Sequence, residues 1–321
     1  MDKFAFAVAC AFVAVAAGVP AGAADSLPVW AYPVNPPGLK PAPDDGVVKH
    51  VPNSSAGFTW TQLRDLFSPP DWHPDNHPAM PDVVGRGNKP GQFACGFCHL
   101  PNGLGRPENS SLAGLPASYI AQQVADFKSG ARKSSEPASL PINLMVAVAK
   151  LVSEEDARIA AEYFASLKPA PWIRVVETDM VPKTKVGGWM LIADEGAGTE
   201  PIGQRIIEMP EDLERTELRD SASGFIAYVP TGSVGKGERL ATGGAGKTIA
   251  CAICHGAGLK GLGPVPALAG RSPSYIVRQL YDIQHGVRQG QWSELMKGVV
   301  AELSEEDLVA IAAYTASLSP Q

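Results

Sequence analysis

One five-residue motif occurs twice in this chain, as Cys95-Gly96-Phe97-Cys98-His99 and as Cys251-Ala252-Ile253-Cys254-His255. The residues around it repeat as well. At the same 156-residue offset, Leu112-Ala113-Gly114 matches Leu268-Ala269-Gly270, and Ser118-Tyr119-Ile120 matches Ser274-Tyr275-Ile276. Gly130 and Arg132 match Gly286 and Arg288. The register then slips by five through Ser134–Asn143. It resumes with Met145 opposite Met296, Ser153-Glu154-Glu155-Asp156 opposite Ser304-Glu305-Glu306-Asp307, and Ala165-Ser166-Leu167 opposite Ala316-Ser317-Leu318. Two copies are too few for a solenoid, so the pattern is a duplicated domain. With 321 residues the chain is long enough for two cores of ordinary size.

Each copy reads as helical. Ser153 and Ser304 stand three residues before an Asp, a start signal that satisfies free backbone N–H groups. Behind the first, Ala160, Tyr163, Phe164 and Leu167 share one helical face, and Ile311, Tyr314 and Leu318 repeat that face. Pro169 and Pro320 follow the helix ends. Another helix is expected from Ser118 to about Lys128, with a counterpart from Ser274 to about Gln284. The predicted organisation is mainly α: domain 1 over 79–170 and domain 2 over 233–321, with a small β-containing insert over 171–232. The insert's strands are expected at Trp172–Thr178, Gln204–Glu208 and Phe225–Val229. Residues 25–78 are Pro-rich and read as an extended N-terminal arm.

Lys3 followed by the apolar run Phe4–Val19 and small residues at 21–24 reads as a secretory signal peptide over 1–24, with an uncleaved anchor as its rival. No later apolar stretch is long enough to span a bilayer. Cys10 lies inside that run. The four remaining cysteines are the two Cys-x-x-Cys pairs, and disulfides have no need of the histidine that follows each. A net charge of −6 gives nucleic-acid binding no electrostatic support.

Cys-x-x-Cys-His is the spacing of c-type haem attachment. Two thiols on one helical turn add to the two haem vinyl groups, and the adjacent histidine reaches the iron. A methionine opposite gives a high-potential iron suited to electron transfer. Met145 and Met296 are the only methionines that coincide in the repeat, each eight residues before its Ser-Glu-Glu-Asp cap, which places them in the loop ahead of the last helix. A lone Met is more often core filling; a matched pair, each downstream of a haem motif, favours ligation. A zinc site shared by the two Cys pairs leaves both histidines and the matched methionines unexplained. A redox dithiol lacks the surrounding strand–helix alternation. The phosphate-loop-like Ala241–Thr248 has no buried strand before it. His73 and His77 read as solvated or capping groups, and His285 as a candidate replacement for Met296. Arg132 and Arg288 are candidate haem-propionate partners, or exposed helix-end cations.

Over about 79–170 and 233–321 the chain resembles class I cytochrome c domains, and as a whole the dihaem cytochromes c of bacterial periplasms. The resemblance implies two covalently bound haem c groups. Cys95, Cys98, His99 and Met145 serve the first, and Cys251, Cys254, His255 and Met296 the second. It also implies one-electron transfer in the periplasm, with a dehydrogenase, a quinol-oxidising complex or a terminal oxidase as redox partner. A dihaem peroxidase and the cytochrome subunit of a dehydrogenase complex are the alternatives. Two departures stand out. Ser110 replaces the family proline found at Pro266, and the 171–232 insert replaces a short linker, so close approach of the two haems does not follow.

Overall fold

The computed structural model describes residues 27–41 and 43–320; the expected signal peptide lies outside the described residues. The proline-rich segment is mostly irregular, with 3-10 turns at Val29–Ala31 and Pro74–Asn76 and one short helix, α1 (Trp60–Leu63). It lies across both copies. Ala31 and Tyr32 enter the core of the second copy, whereas Val51, Leu63 and Trp72 form a small cluster with Leu218.

The first copy contains α2 (Asp82–Gly85), α3 (Cys95–His99), α4 (Ala117–Ser129), α5 (Leu140–Leu151) and α6 (Glu154–Ser166). The second contains α8 (Ser233–Gly243), α9 (Ala252–His255), α10 (Pro273–Gln284), α11 (Glu294–Val300) and α12 (Glu305–Ser317). The expected caps form. Ser153 accepts from the Asp156 N–H, and Ser304 makes a full capping box with Asp307. Ala160, Tyr163, Phe164 and Leu167 are all buried, as one apolar helical face requires.

The copies differ at their first helix. In the second, Gly237 lets α8 cross directly over α12: a Cβ there would stand 1.9 Å from the Ala310 carbonyl oxygen. The corresponding position in the first copy is Pro81, which precedes the four-residue α2. Proline cannot donate inside a helix and restricts the residue before it, so the long crossing helix of the second copy has only this short turn as its counterpart.

Between the copies lie β1 (Ile173–Glu177), β2 (Met180–Pro182), β3 (Thr184–Gly187), β4 (Met190–Ala193), β5 (Thr199–Pro201), β6 (Ile207–Pro210), α7 (Leu213–Glu217) and β7 (Phe225–Val229). β7 is central, parallel to β1 and antiparallel to β6, with two further antiparallel pairs, β2–β5 and β3–β4. The second expected strand begins at Ile207 rather than Gln204, because Arg205 turns back to bond the Ile202 and Pro201 carbonyls and Glu200. β2 to β5 are three or four residues long, too short for alternation to announce them.

The insert does not hold the copies apart. Arg132 and Arg288 form an antiparallel backbone bridge, extended by Gln289 N–H to the Ala131 carbonyl (2.7 Å). Buried Arg271 and Arg278 of the second copy donate to carbonyls of Ser111 and Pro107 in the first.

Candidate functional site

Both motifs end their histidines in the same way. His99 Nδ1 lies 2.8 Å from the Ser110 carbonyl oxygen, and His255 Nδ1 lies 2.7 Å from that of Pro266. A carbonyl only accepts, so Nδ1 carries the proton and Nε2 holds the lone pair. Burial pulls both imidazoles below the ordinary histidine range, against a smaller upward pull from the carbonyl bond; the Arg132 charge also lowers His99. An oriented, neutral imidazole with a free Nε2 is the form that ligates a metal. Ser110 therefore replaces the expected proline without loss, because the acceptor is backbone. The signal that sets the first copy apart in the sequence does not alter this bond.

In the second copy a cavity of ≈ 210 Å³ is lined by Cys251, Cys254, His255 and Met296, with apolar walls from residues such as Leu280 and Val299. Two thiols, an imidazole and a thioether around one apolar space are the donor set that a c-type haem requires, so the residues fit the group. Ser110, Ser111 and Tyr119 of the first copy line the same cavity, which brings the second site up against the loop that orients His99. Met296 sits on α11 and Met145, half-buried, on α5. Neither is in a loop, contrary to the sequence expectation. Pro141 in the first turn of α5 and the apolar 144–149 run carry that helix through Met145, and Ser293 and Glu294 start α11 just before Met296.

The first copy is covered where the second is open. Phe97 is 9% exposed, but its counterpart Ile253 is 67% exposed. The cover is the insert. Arg219, which follows α7, stacks its guanidinium 3.9 Å from the Phe97 ring centroid and donates to the Phe97 carbonyl. Arg106 pairs with Glu108 at 2.9 Å and reaches Met190 on β4. Burial and the neighbouring Cys98 push the Cys95 thiol up to about 12, so no free thiolate nucleophile is built here. Sequence reading misses Arg219 entirely. It is far from the motif along the chain and belongs to no repeat.

Arg132 and Arg288 are buried, not exposed helix-end cations. Arg132 donates to Gln123, Gln279 and the Tyr275 hydroxyl, and Arg288 donates to Gln279, Gln123 and the Tyr119 hydroxyl. Burial acts to raise the Tyr275 phenol, but the two guanidiniums outweigh it and hold it at about 8. Tyr119, Tyr275, Gln279 and Arg288 all line the cavity of the second copy.

The remaining candidates are engaged elsewhere. His73 Nε2 pairs with buried Asp220 at 2.9 Å and His77 Nε2 with Asp71 at 3.1 Å, so neither is a solvated group. His285 stacks on Tyr281 at 3.9 Å between ring centroids, with Nδ1 bonded to the Tyr281 carbonyl, and is absent from the cavity lining. In the phosphate-loop-like segment, Lys247 bonds Asp307 and Thr248 the Val299 carbonyl. Among the described residues no cluster of three or more His, Cys, Asp or Glu could hold a metal ion, and no helix is long and apolar enough to cross a membrane.

Comparison with known proteins agrees with this geometry. The family model for cytochrome c oxidase, cbb3-type, subunit III matches residues 238–314, the core of the second copy. A thiosulfate dehydrogenase electron acceptor of Thiomonas intermedia (strain K12) is 28% identical over 239 residues, covering 72% of this chain and 82% of that protein. Cytochrome c4 of Stutzerimonas stutzeri is 30% identical over 146 residues, which is 40% of this chain and 70% of that protein. The crystal structure of reduced recombinant cytochrome c4 from Pseudomonas stutzeri superposes with a TM-score of 0.46 at 24% identity, covering 70% of this chain and 93% of that one. With two Cys-x-x-Cys-His turns, two carbonyl-oriented histidines and the similarity in sequence to cytochrome c4 of Stutzerimonas stutzeri, the chain belongs to the dihaem cytochromes c, electron-transfer proteins that carry two covalently bound haem c groups.

Proposed function

We propose that this protein is a periplasmic one-electron shuttle in which His99 and Met145 ligate one iron and His255 and Met296 the other. The observation that carries the reading is the matched hold on the two histidines, at 2.8 Å and 2.7 Å from Nδ1 to carbonyl. When bound, the haem supplies the ferric–ferrous couple. The chain attaches the group through Cys95, Cys98, Cys251 and Cys254. Each Nδ1–carbonyl bond leaves Nε2 unprotonated, the atom that would hold an iron, and the second site is lined with apolar side chains that would exclude water. Met296 supports the ligand set because it lines the cavity that His255 lines.

A role as electron acceptor or cytochrome subunit for a periplasmic dehydrogenase has support from the relative named a thiosulfate dehydrogenase electron acceptor. Redox proteins of the quinol-oxidising or terminal-oxidase kind are the other partners that fit a carrier. Haem quantification with a redox titration tests the core of the proposal, with two haems per chain and two high potentials expected. Met145→Ala and Met296→Ala should each remove part of the long-wavelength methionine–iron absorption of the ferric protein. Loss of that band in neither variant overturns the ligand assignment.

A further inference from the structure

Arg219 is, with Trp189, one of two non-glycine residues of the insert with a left-handed backbone. Its backbone has φ +59°, a conformation that favours glycine, yet a long charged side chain occupies it. That side chain covers the first Cys-x-x-Cys-His turn, with the guanidinium against the Phe97 ring and carbonyl. Its Nε is buried without a hydrogen-bond partner among the described residues. Glu108 and Asp220, carboxylates of the same region, are paired with other cations. Glu108 pairs with Arg106 at 2.9 Å, and Asp220 pairs with Arg215 at 2.7 Å and with His73 at 2.9 Å. Arg106 and Arg219 line one small cavity beside Leu100, directly after the motif, and Glu108 is bound to Arg106 there. The cluster has a net positive charge, and a guanidinium does not discharge near neutral pH.

Among the described residues the second copy lacks this cluster at the matching positions, and the buried arginines that line its cavity, Arg271 and Arg288, belong to the seam with the first copy. Leu262 stands where Arg106 would be and is 60% exposed, and Pro264 stands in place of Glu108. Reduction of a haem iron adds one negative charge. A buried, uncompensated positive charge beside the macrocycle favours the reduced state, and burial protects that interaction from salt screening.

We propose that Arg219, delivered by the insert, sets the potential of the first haem: it completes a buried Arg106–Glu108–Arg219 cluster that raises this potential and leaves the second haem unaffected. Arg219 acts here as a positioning and tuning residue, and the proposal rests on the attachment of a haem at Cys95 and Cys98. The insert is then a device that makes two duplicated sites unequal, which gives an electron a preferred direction between them.

The test is a spectroelectrochemical titration of the full two-haem protein. The wave displaced by Met145→His identifies the first haem; if it displaces neither wave, the ligand assignment fails and not the charge argument. Arg219→Gln should lower the first wave by about tenfold in its reduction equilibrium, about 59 mV for a one-electron couple. Arg219→Lys, which keeps the charge, should restore most of that shift. Glu108→Gln removes the only carboxylate of the cluster and should move the same wave upward. Shifts of one sign in both neutralised variants, equal shifts in both haems, or no shift would overturn the proposal. If Arg219→Gln does not retain two haems, the direction of the Glu108→Gln shift decides alone, upward supporting the proposal and zero or downward overturning it.

Discussion

Arg132 and Arg288, equivalent residues of the two copies, pair backbone to backbone across the domain seam, and each bonds the other copy's tyrosine: Arg132 Nη2 to Tyr275 at 2.9 Å, Arg288 Nη2 to Tyr119 at 3.0 Å. Gln123 and Gln279 accept from both guanidiniums. The seam is therefore a pseudo-two-fold contact between the copies, the isologous arrangement familiar from symmetric dimers. Its symmetry predicts matched costs. Arg132→Met and Arg288→Met should each destabilise by about 1–3 kcal/mol, because a buried charged donor is removed, one tyrosine hydroxyl loses its partner and the two glutamines keep one guanidinium instead of two. Urea unfolding followed by far-UV circular dichroism checks this. A large loss in one variant and none in the other would contradict a shared seam.

The α8–α12 crossing makes a sharper steric prediction. Gly237→Ala places a methyl 1.9 Å from the Ala310 carbonyl oxygen and 2.7 Å from Tyr314 Cβ, so the helices must separate. The neighbour is backbone and cannot rotate away. A loss of about 2–3 kcal/mol is expected, at the upper end for overpacking by one carbon. Gly243→Ala meets nothing within 4 Å and is the control that isolates sterics from helix propensity. Equal thermal midpoints for the two variants would mean that the crossing is looser than drawn.

Trp72 ties the N-terminal segment to the insert. It is 1% exposed, stacks edge-on with Phe58 at 4.7 Å, and donates from Nε1 to the Leu218 carbonyl at 2.8 Å. Leu218 directly precedes Arg219. Trp72→Ala should cost about 3–5 kcal/mol and loosen the turn that carries Arg219. Trp72→Phe keeps most of the packing, loses the hydrogen bond and leaves the Leu218 carbonyl unpaired, for about 1–2 kcal/mol. Limited proteolysis after α7 should accelerate in Trp72→Ala and little in Trp72→Phe; similar cleavage of both would refute the anchoring role.

Most of the duplicated fold is legible in the sequence because its signals are local. Ser153 and Ser304 announce helix starts through their own side chains, and the apolar face of α6 follows from spacing alone. The histidine orientation is legible too, since Pro266 and Ser110 occupy one register position and act through a carbonyl that every residue has. What is not legible is long-range. Nothing near Arg219 marks it as the cover of Phe97, because its role exists only once the insert folds back over the first copy. Arg132 and Arg288 are ambiguous for the same reason. A matched arginine is equally consistent with an exposed helix end, and only packing reveals the seam. Met145 and Met296 show a finer limit: their register is readable, but whether eight residues ahead of a cap form loop or helix depends on competing start signals at Pro141 and Ser293.

The Asp307 carboxylate supplies a pH dependence with a definite sign. Its side chain is fully enclosed, with Lys236 Nζ at 2.8 Å from Oδ1, Lys247 Nζ at 2.8 Å from Oδ2 and the Ser304 N–H at 3.1 Å from Oδ2. Burial acts to raise its pKa, but the two lysines and the cap outweigh burial and hold it well below the usual carboxylate range. In the unfolded chain an aspartate titrates near ~3.9. A folded-state pKa below the unfolded value means that the unfolded form binds the proton more readily. The stabilisation is therefore fully present above about pH 5 and is lost as pH falls toward the folded value. Asp307→Asn should thus cost about 2 kcal/mol at pH 7, a figure trimmed because both lysine heads are partly exposed and screened. The gap between wild type and variant should narrow steadily below pH 4, as the unfolded wild type takes up a proton that the folded form still excludes. Denaturant midpoints at pH 7, 4 and 3 check this, and a gap that stays constant down to pH 3 would show that the lysine pairs contribute nothing to the stability of the second copy.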